Sequence, residues 1–290
     1  MRNSAKRYAR KIIDGRSIAG DIITDLKKQR KKIHFKPGLC VINAGSETSK
    51  DLYLLKQKKT AEELGVYFSV RNFPPRVSFS RIFRTIRSLN ADRRVHGIFL
   101  PLPLPAGLPV SLLQSSIAPR KDVEGVHPEN IGRLLLGETG AAPVTAGAVM
   151  EILMREKIDL TGKEAVVVGH SPHVGKPIVN LLLSSSKKAP TVTCCHISTR
   201  NLGFHTRRAD ILITAAGKPG LITGKMVKKG AVVIDVGISR SGRAGSISGD
   251  VLFSEAVRKA GRITPVPGGV GPVTTALLFR KLFQTCLCRK

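Results

Sequence analysis

The stretch VVVGHSPHVGKPIVNLLL, residues 166–183, constrains the fold more than any other. Three valines followed by a glycine read as a buried strand entering a tight turn, and PIVNLLL reads as an apolar helix. Strand, glycine turn and helix in that order belong to a parallel sheet, where neighbouring strands need a crossover and a helix supplies it. The same alternation runs along the chain. Residues 18–33, 51–65 and 79–90 have helical character, and GLCVIN (38–43), VYFSVRN (66–72) and VHGIFL (95–100) read as strands. A second series opens near Thr145 with an N-capped helix, TAGAVMEILMREK. The strands EAVVVG, TVTCCH, ADILITA and AVVIDVG follow it. The tail GPVTTALLFRKLFQTCL is a helix too long and apolar to stand alone, so it is expected to return to the first domain.

The expected fold class is therefore α/β, with two open parallel-sheet domains, the second a Rossmann-like dinucleotide-binding domain. Residues 1–144 and 271–290 are expected to form the first and residues 145–270 the second. A chain of 290 residues can bury cores of that size. No apolar run reaches the roughly 18 residues of a membrane span. The first dozen residues are basic and acid-free, as in a transit peptide, yet helical periodicity begins by Ile18 and leaves little chain for a leader. A cytoplasmic protein without membrane contact is expected. Five cysteines without CxxC spacing suit a reducing compartment.

The net charge of +28 raises the question of a nucleic-acid partner. Its 48 lysines and arginines are spread over the whole length, and aromatics make up only 4% of residues, so no stacking platform for bases is visible. A basic surface that attracts small anions is the favoured account.

Gly169, Ser171 and Gly175 fall as G-x-S-x-x-x-G at a helix start, where free N–H groups favour a phosphate. A plain strand-to-helix turn is the alternative. His170 and His173 lack a third ligand nearby, so no metal is expected. An NAD site would want an acidic residue at the end of the next strand for the ribose hydroxyls. That strand ends CCHISTRN, with no acid. His196, Ser198, Thr199 and Arg200 suit a 2′-phosphate, which favours NADP over NAD. RITPVPGGVGPVT (262–274) has no titratable group after Arg262 and reads as a rigid loop that can approach a flat ligand. KDVEGVHPEN (121–130) sets two acids in a turn, either as a capping arrangement or as an anchor for a polar ring.

Together TPVPGGVGP, KDVEG, LPLP, GHSPHVGKP, VIDVG and the opening IDG resemble the methylenetetrahydrofolate dehydrogenase/cyclohydrolase (FolD) family, from about Ile13 to the end of the chain. The resemblance implies oxidation of 5,10-methylenetetrahydrofolate with NADP, followed by hydrolysis of the methenyl product to 10-formyltetrahydrofolate. It also implies a homodimer and a folate cleft between the two domains. It places Gly169, His170, Ser171, Gly175, Ile197 and Ile238 at the cofactor. Tyr53 would stack on the pterin side, Glu124 would anchor the pterin, and Leu100 and Leu102 would form a wall. Pro267, Gly268, Gly269, Val270 and Gly271 would line the cleft.

Departures from the family pattern matter as much. Gln57 stands in the place of the family's lysine, and Pro101 in that of its partner glutamine. Glu124 replaces an aspartate and His170 an arginine. Hydride transfer rests largely on positioning two planar rings, but hydrolysis needs a titratable group. Glutamine cannot titrate, and proline offers neither a side-chain amide nor an N–H. Adjacent Lys56 and Lys58 are rotated away by about 100° per residue on a helix. The sequence thus implies surviving dehydrogenation and impaired hydrolysis, with a decayed folate or nucleotide binder as the alternative. A folate ligand with a polyglutamate tail would gain from the basic surface.

Overall fold

The computed structural model describes residues 8–45, 48–185, 187–241 and 246–288, with the side chains of residues 48–53, 240, 241 and 246 left aside. Two compact units emerge. One comprises Asp21–Arg133 and Thr275–Lys290, the other Met1–Gly20 and Leu134–Thr274.

In the first unit the order is helix α1 (Gly15–Arg30), strand β1 (Gly38–Ala44), α2 (Thr48–Glu63), β2 (Tyr67–Phe73), α3 (Phe79–Ala91), β3 (Gly97–Phe99) and α4 (Val110–Ser116). The three strands pair in parallel in the order β2-β1-β3. Central β1 is buried along its whole length, as GLCVINA requires of a strand covered on both faces, whereas β2 at the edge has only exposed and half-buried residues. Cys40, Ile42 and Ala44 of β1 pack with Ile82, Ile86 and Leu89 of α3, the apolar stripe of a helix whose other face is basic.

The second unit contains α6 (Val144–Arg155), β4 (Glu164–Val168), α7 (Gly175–Leu183), β5 (Thr191–Cys195), α8 (Leu202–Thr206), β6 (Ile211–Thr214) and β7 (Val232–Asp235). The short pair β8 (Ser239–Ser241) and β9 (Ser246–Ser248) follows, then α9 (Phe253–Lys259) and β10 (Arg262–Ile263). Before α6, a short helix α5 (Pro128–Leu135) passes from one unit to the other. The five-stranded sheet runs β10-β7-β6-β4-β5, all parallel. Strand order reverses at β4, which has β5 on one side and β6 on the other. Ligands of open α/β sheets bind beyond the strand ends at such a point.

The last helix, α10 (Val270–Leu287), begins in the five-stranded unit and continues into the other. There Leu282 fills the space above Gly97, and the Thr285 hydroxyl donates to the Arg120 carbonyl at 3.2 Å. The returning helix anticipated from the sequence is present.

Two expectations need correction. The helix from residue 144 begins with Pro143 as its cap residue and no side-chain capping bond, so Thr145 is not an N-cap but lies inside the helix. Residues 11–13, grouped by sequence with the first domain, associate instead with the five-stranded sheet. Ile12 bridges Ile263, the Ile13 N–H donates to the Ile263 carbonyl at 2.8 Å, and Lys11 Nζ donates to the Val257 carbonyl at 3.2 Å.

Candidate functional site

The turn after β4 is shaped by its glycines. Gly169 has φ +115°, and a Cβ there would run into the Ala215 carbonyl; a Cβ on Gly175 would run into the Gly169 carbonyl. Ser171 Oγ accepts from the N–H of Val174 at 3.2 Å and, more loosely, of Gly175 at 3.5 Å, closing the turn onto the start of α7. The apolar body of α7 buries Ile178, Leu181 and Leu182. The result is a small cradle at a helix N-terminus beyond the switch-point strand, which fits a phosphate.

His170 stacks on His196 from the end of β5, with ring centroids 5.0 Å apart. His196 caps its own loop, accepting at Nδ1 from the Ser198 N–H at 3.2 Å. Ser198 and Arg200 are exposed beside it. Ile197 is 99% exposed and Ile238, after β7, is 64% exposed. Large apolar side chains so open to water, both beyond the C-terminal ends of strands, suit a planar ligand. His173 stands apart, its pKa lowered by burial.

Sequence reasoning missed the acids that organise this edge. Asp235 is buried and accepts from the Thr214 hydroxyl at 3.0 Å and from the N–H groups of Gly237, Asp250 and Val251 at 2.9–3.1 Å. Asp250 accepts from Ala216, Gly217 and Lys218. Burial outweighs these donors and raises Asp235 to about 6. Both residues sit in short motifs, VIDVG and SGDV, whose visible signal is an acid within two residues of a glycine.

The same region fixes the proline–glycine loop. Thr264 Oγ1 accepts from the Asp235 N–H at 2.8 Å, Gly268 takes φ +111°, and Gly15 lies so close to the Gly269 carbonyl that no side chain fits there. Val270 is buried, whereas Pro267 and Gly271 keep part of their surface exposed. A cavity of ≈ 310 Å³ opens beside the loop, lined by Ala9, Ile12, Asp14, Arg16, Pro265, Pro267 and Gly268.

The other unit holds the remaining expected residues. Tyr53 lies on α2, but its side chain is outside the described residues. Gln57 is fully buried, and among the described residues neither its Oε1 nor its Nε2 has a hydrogen-bond partner. Lys56, Lys58 and Lys59 around it are exposed, as the helical rotation requires. Leu100 and Pro101 are buried and Leu102 is 38% exposed.

The KDVEG turn divides its labour. Lys121 is buried and donates all three ammonium protons to the carbonyls of Leu89, Asn90 and Asp92, each at 2.8 Å, at the C-terminal end of α3. Asp122 accepts from the N–H groups of Glu124, Gly125 and His127 and from Asn130 Nδ2, at 2.8–3.1 Å. It holds the turn, which is the capping arrangement that the sequence left open.

Glu124 is left to face Lys281 of α10. Burial, together with the Asp122 carboxylate, raises Glu124 to about 8, with Lys281 opposing the shift. Burial lowers the Lys281 amine to about 8 against the pull of Asp122 and Glu124. Lys281 was missed from sequence. Its one signal is a cation within the apolar run TALLFRKLF.

Comparison with known proteins follows this division. The family model described as the tetrahydrofolate dehydrogenase/cyclohydrolase catalytic domain matches residues 13–124, and that of the NAD(P)-binding domain of the same family matches residues 143–290. "Bifunctional protein FolD" of Syntrophus aciditrophicus is 46% identical over 275 residues, covering 92% of this chain and 94% of the relative. The protein of that name from Moorella thermoacetica is 43% identical over 276 residues, covering 94% and 97%. Among solved structures, the bifunctional FolD enzyme of Campylobacter jejuni superposes with a TM-score of 0.91 at 39% identity, covering 96% of this chain and 99% of the other. The Trypanosoma brucei enzyme, complexed with NADP cofactor and inhibitor, gives 0.89 at 34%, covering 95% and 97%. The chain belongs to the tetrahydrofolate dehydrogenase/cyclohydrolase family.

Proposed function

We propose that this protein is a cytoplasmic enzyme of one-carbon folate metabolism. It oxidises 5,10-methylenetetrahydrofolate with NADP and hydrolyses the methenyl product to 10-formyltetrahydrofolate. The observation that carries the reading is the glycine cradle at the switch point of the five-stranded sheet, in which Gly169 and Gly175 leave room for no Cβ and Ile197 and Ile238 stand open beyond the strands. The bifunctional relatives support the pairing of activities.

The residues present fit a dinucleotide. The turn at Gly169–Gly175 would hold its phosphates, Ile197 and Ile238 its flat rings, and His196, Ser198 and Arg200 a 2′-phosphate. Bound there, the nicotinamide supplies the hydride acceptor. The protein's own contribution to this step is orientation: Asp235 and Asp250 tie the loops after β6 and β7 and leave the ring site no freedom to collapse. Leu100, Leu102, Glu124 and the loop Pro267–Gly271 are assigned to the folate, and Tyr53 to its ring system. The basic surface favours polyglutamylated folates, and a homodimer is the expected assembly.

Judged on Gln57 and Pro101 alone, hydrolysis would be impaired, since neither carries a titratable group. That reading ignores the amine that α10 brings to Glu124. The test is an initial-rate assay of methylenetetrahydrofolate-dependent reduction of NADP and of NAD, with mono- and polyglutamylated substrate at low salt. NADP should be the better acceptor and the polyglutamate should bind more tightly, an advantage that fades as salt screens it. Preference for NAD would overturn the cofactor assignment, and equal binding of the two folates at low salt the electrostatic one.

A further inference from the structure

In the unit that holds Gln57 and Glu124, the nearby lysines differ in their surroundings. Lys56, Lys58 and Lys59 point to water. Lys121 spends its donors on three carbonyls at the end of α3. Lys281 alone among these sits half-buried against the acids of the KDVEG turn, on a helix anchored through Leu282 at Gly97 and Thr285 at the Arg120 carbonyl. Of the two acids it meets, Asp122 is committed to four donors of the turn. Glu124 is the acid left to exchange a proton with it. A lysine held away from water beside two acids is seldom found unless it is paired or put to use.

We propose that Lys281, working beside Glu124, is the proton-carrying group of the hydrolysis step, a role that Gln57 cannot fill. The inference rests on the function proposed above. Water adds to the methenyl carbon, forming the C–O bond as its proton passes to the neutral amine, and the positive charge of the substrate is discharged. The ammonium then gives that proton to the ring nitrogen as the C–N bond breaks. The adduct's hydroxyl proton leaves to solvent as the formyl C=O forms, so the amine returns to neutral and one proton is released overall. Burial has already moved the amine to about 8, where base and acid forms coexist near neutral pH. Asp122 and Glu124 are the charged groups facing it, and both resist that lowering.

The experiment compares methenyltetrahydrofolate hydrolysis, above the buffer rate, with methylenetetrahydrofolate oxidation in the unaltered protein, Lys281→Met and Lys281→Arg. The ratio of hydrolysis to oxidation should fall about 10²-fold or more in both variants, the contribution typical of a placed general base. In the unaltered protein the hydrolysis rate should rise with pH through about 8, and this limb should vanish in Lys281→Arg, whose guanidinium keeps its charge but cannot titrate. If Lys281→Met does not fold, Lys281→Arg and the pH profile decide. A ratio equal to the parent's in either variant, or a pH limb that survives the arginine, overturns the assignment. Oxidation without any hydrolysis in the unaltered protein overturns Lys281 alone; absence of both activities overturns the proposed function with it.

Discussion

At the scale of single residues, Gln57 shows how a local departure is contained. A helix rotates about 100° per residue, so the lysines on either side of it cannot follow it inward without unwinding α2. The structure leaves them in water and buries an amide whose polar atoms find no partner among the described residues. An orphaned buried polar group costs about 1–3 kcal/mol. Gln57→Met, similar in length and apolar, should therefore stabilise the protein by about 1 kcal/mol, raising the melting temperature by roughly 2–4 °C. A lower melting temperature would mean that the amide has a partner in solution. The departure at position 57 was legible from the sequence because the surrounding YLLKQKKTAEELG keeps its spacing. The compensating Lys281 was not, because it lies more than 200 residues away and only the fold brings α10 to Glu124.

At the scale of elements, the apolar runs did most of the work. GLCVIN, EAVVVG, ILIT and VVID form strands buried on both faces, as short apolar runs between turns suggest. What periodicity could not supply was the start of α6, where Pro143 sets the entry and Thr145 merely resembles a cap. Nor could it supply the carboxylate ties of Asp235 and Asp250, which depend on backbone N–H groups from several loops. The turn after β4 is the element most exposed to substitution. Gly169→Ala adds a methyl where the Ala215 carbonyl stands and forces φ +115° on a residue that resists it. We expect about 1–3 kcal/mol of destabilisation, typical of such strain, and loss of calorimetrically detectable NADP binding. Undiminished binding would show that the cradle is not the phosphate site.

At the scale of the whole molecule, the alternation of strand and helix was enough to specify two parallel sheets and a returning C-terminal helix. Division of the chain was less legible. The sequence puts the opening residues with the sheet they precede, whereas backbone pairing of Ile12 and Ile13 with Ile263 ties them to the sheet that comes last. Contacts of that sequence separation leave no periodic trace. Among the described residues no helix is long and apolar enough to cross a membrane. The net charge of +28 is spread along the chain and needs no nucleic acid to explain it, since an anionic substrate profits from it equally. One chain without a lysine at position 57 is expected to perform both steps. The most direct measurement is a time course on one purified sample given methylenetetrahydrofolate and NADP, with NADPH, methenyltetrahydrofolate and 10-formyltetrahydrofolate quantified together. NADPH and 10-formyltetrahydrofolate should rise in step, faster than the methenyl intermediate hydrolyses in buffer. NADPH formed with methenyltetrahydrofolate accumulating at the buffer-limited rate would contradict it.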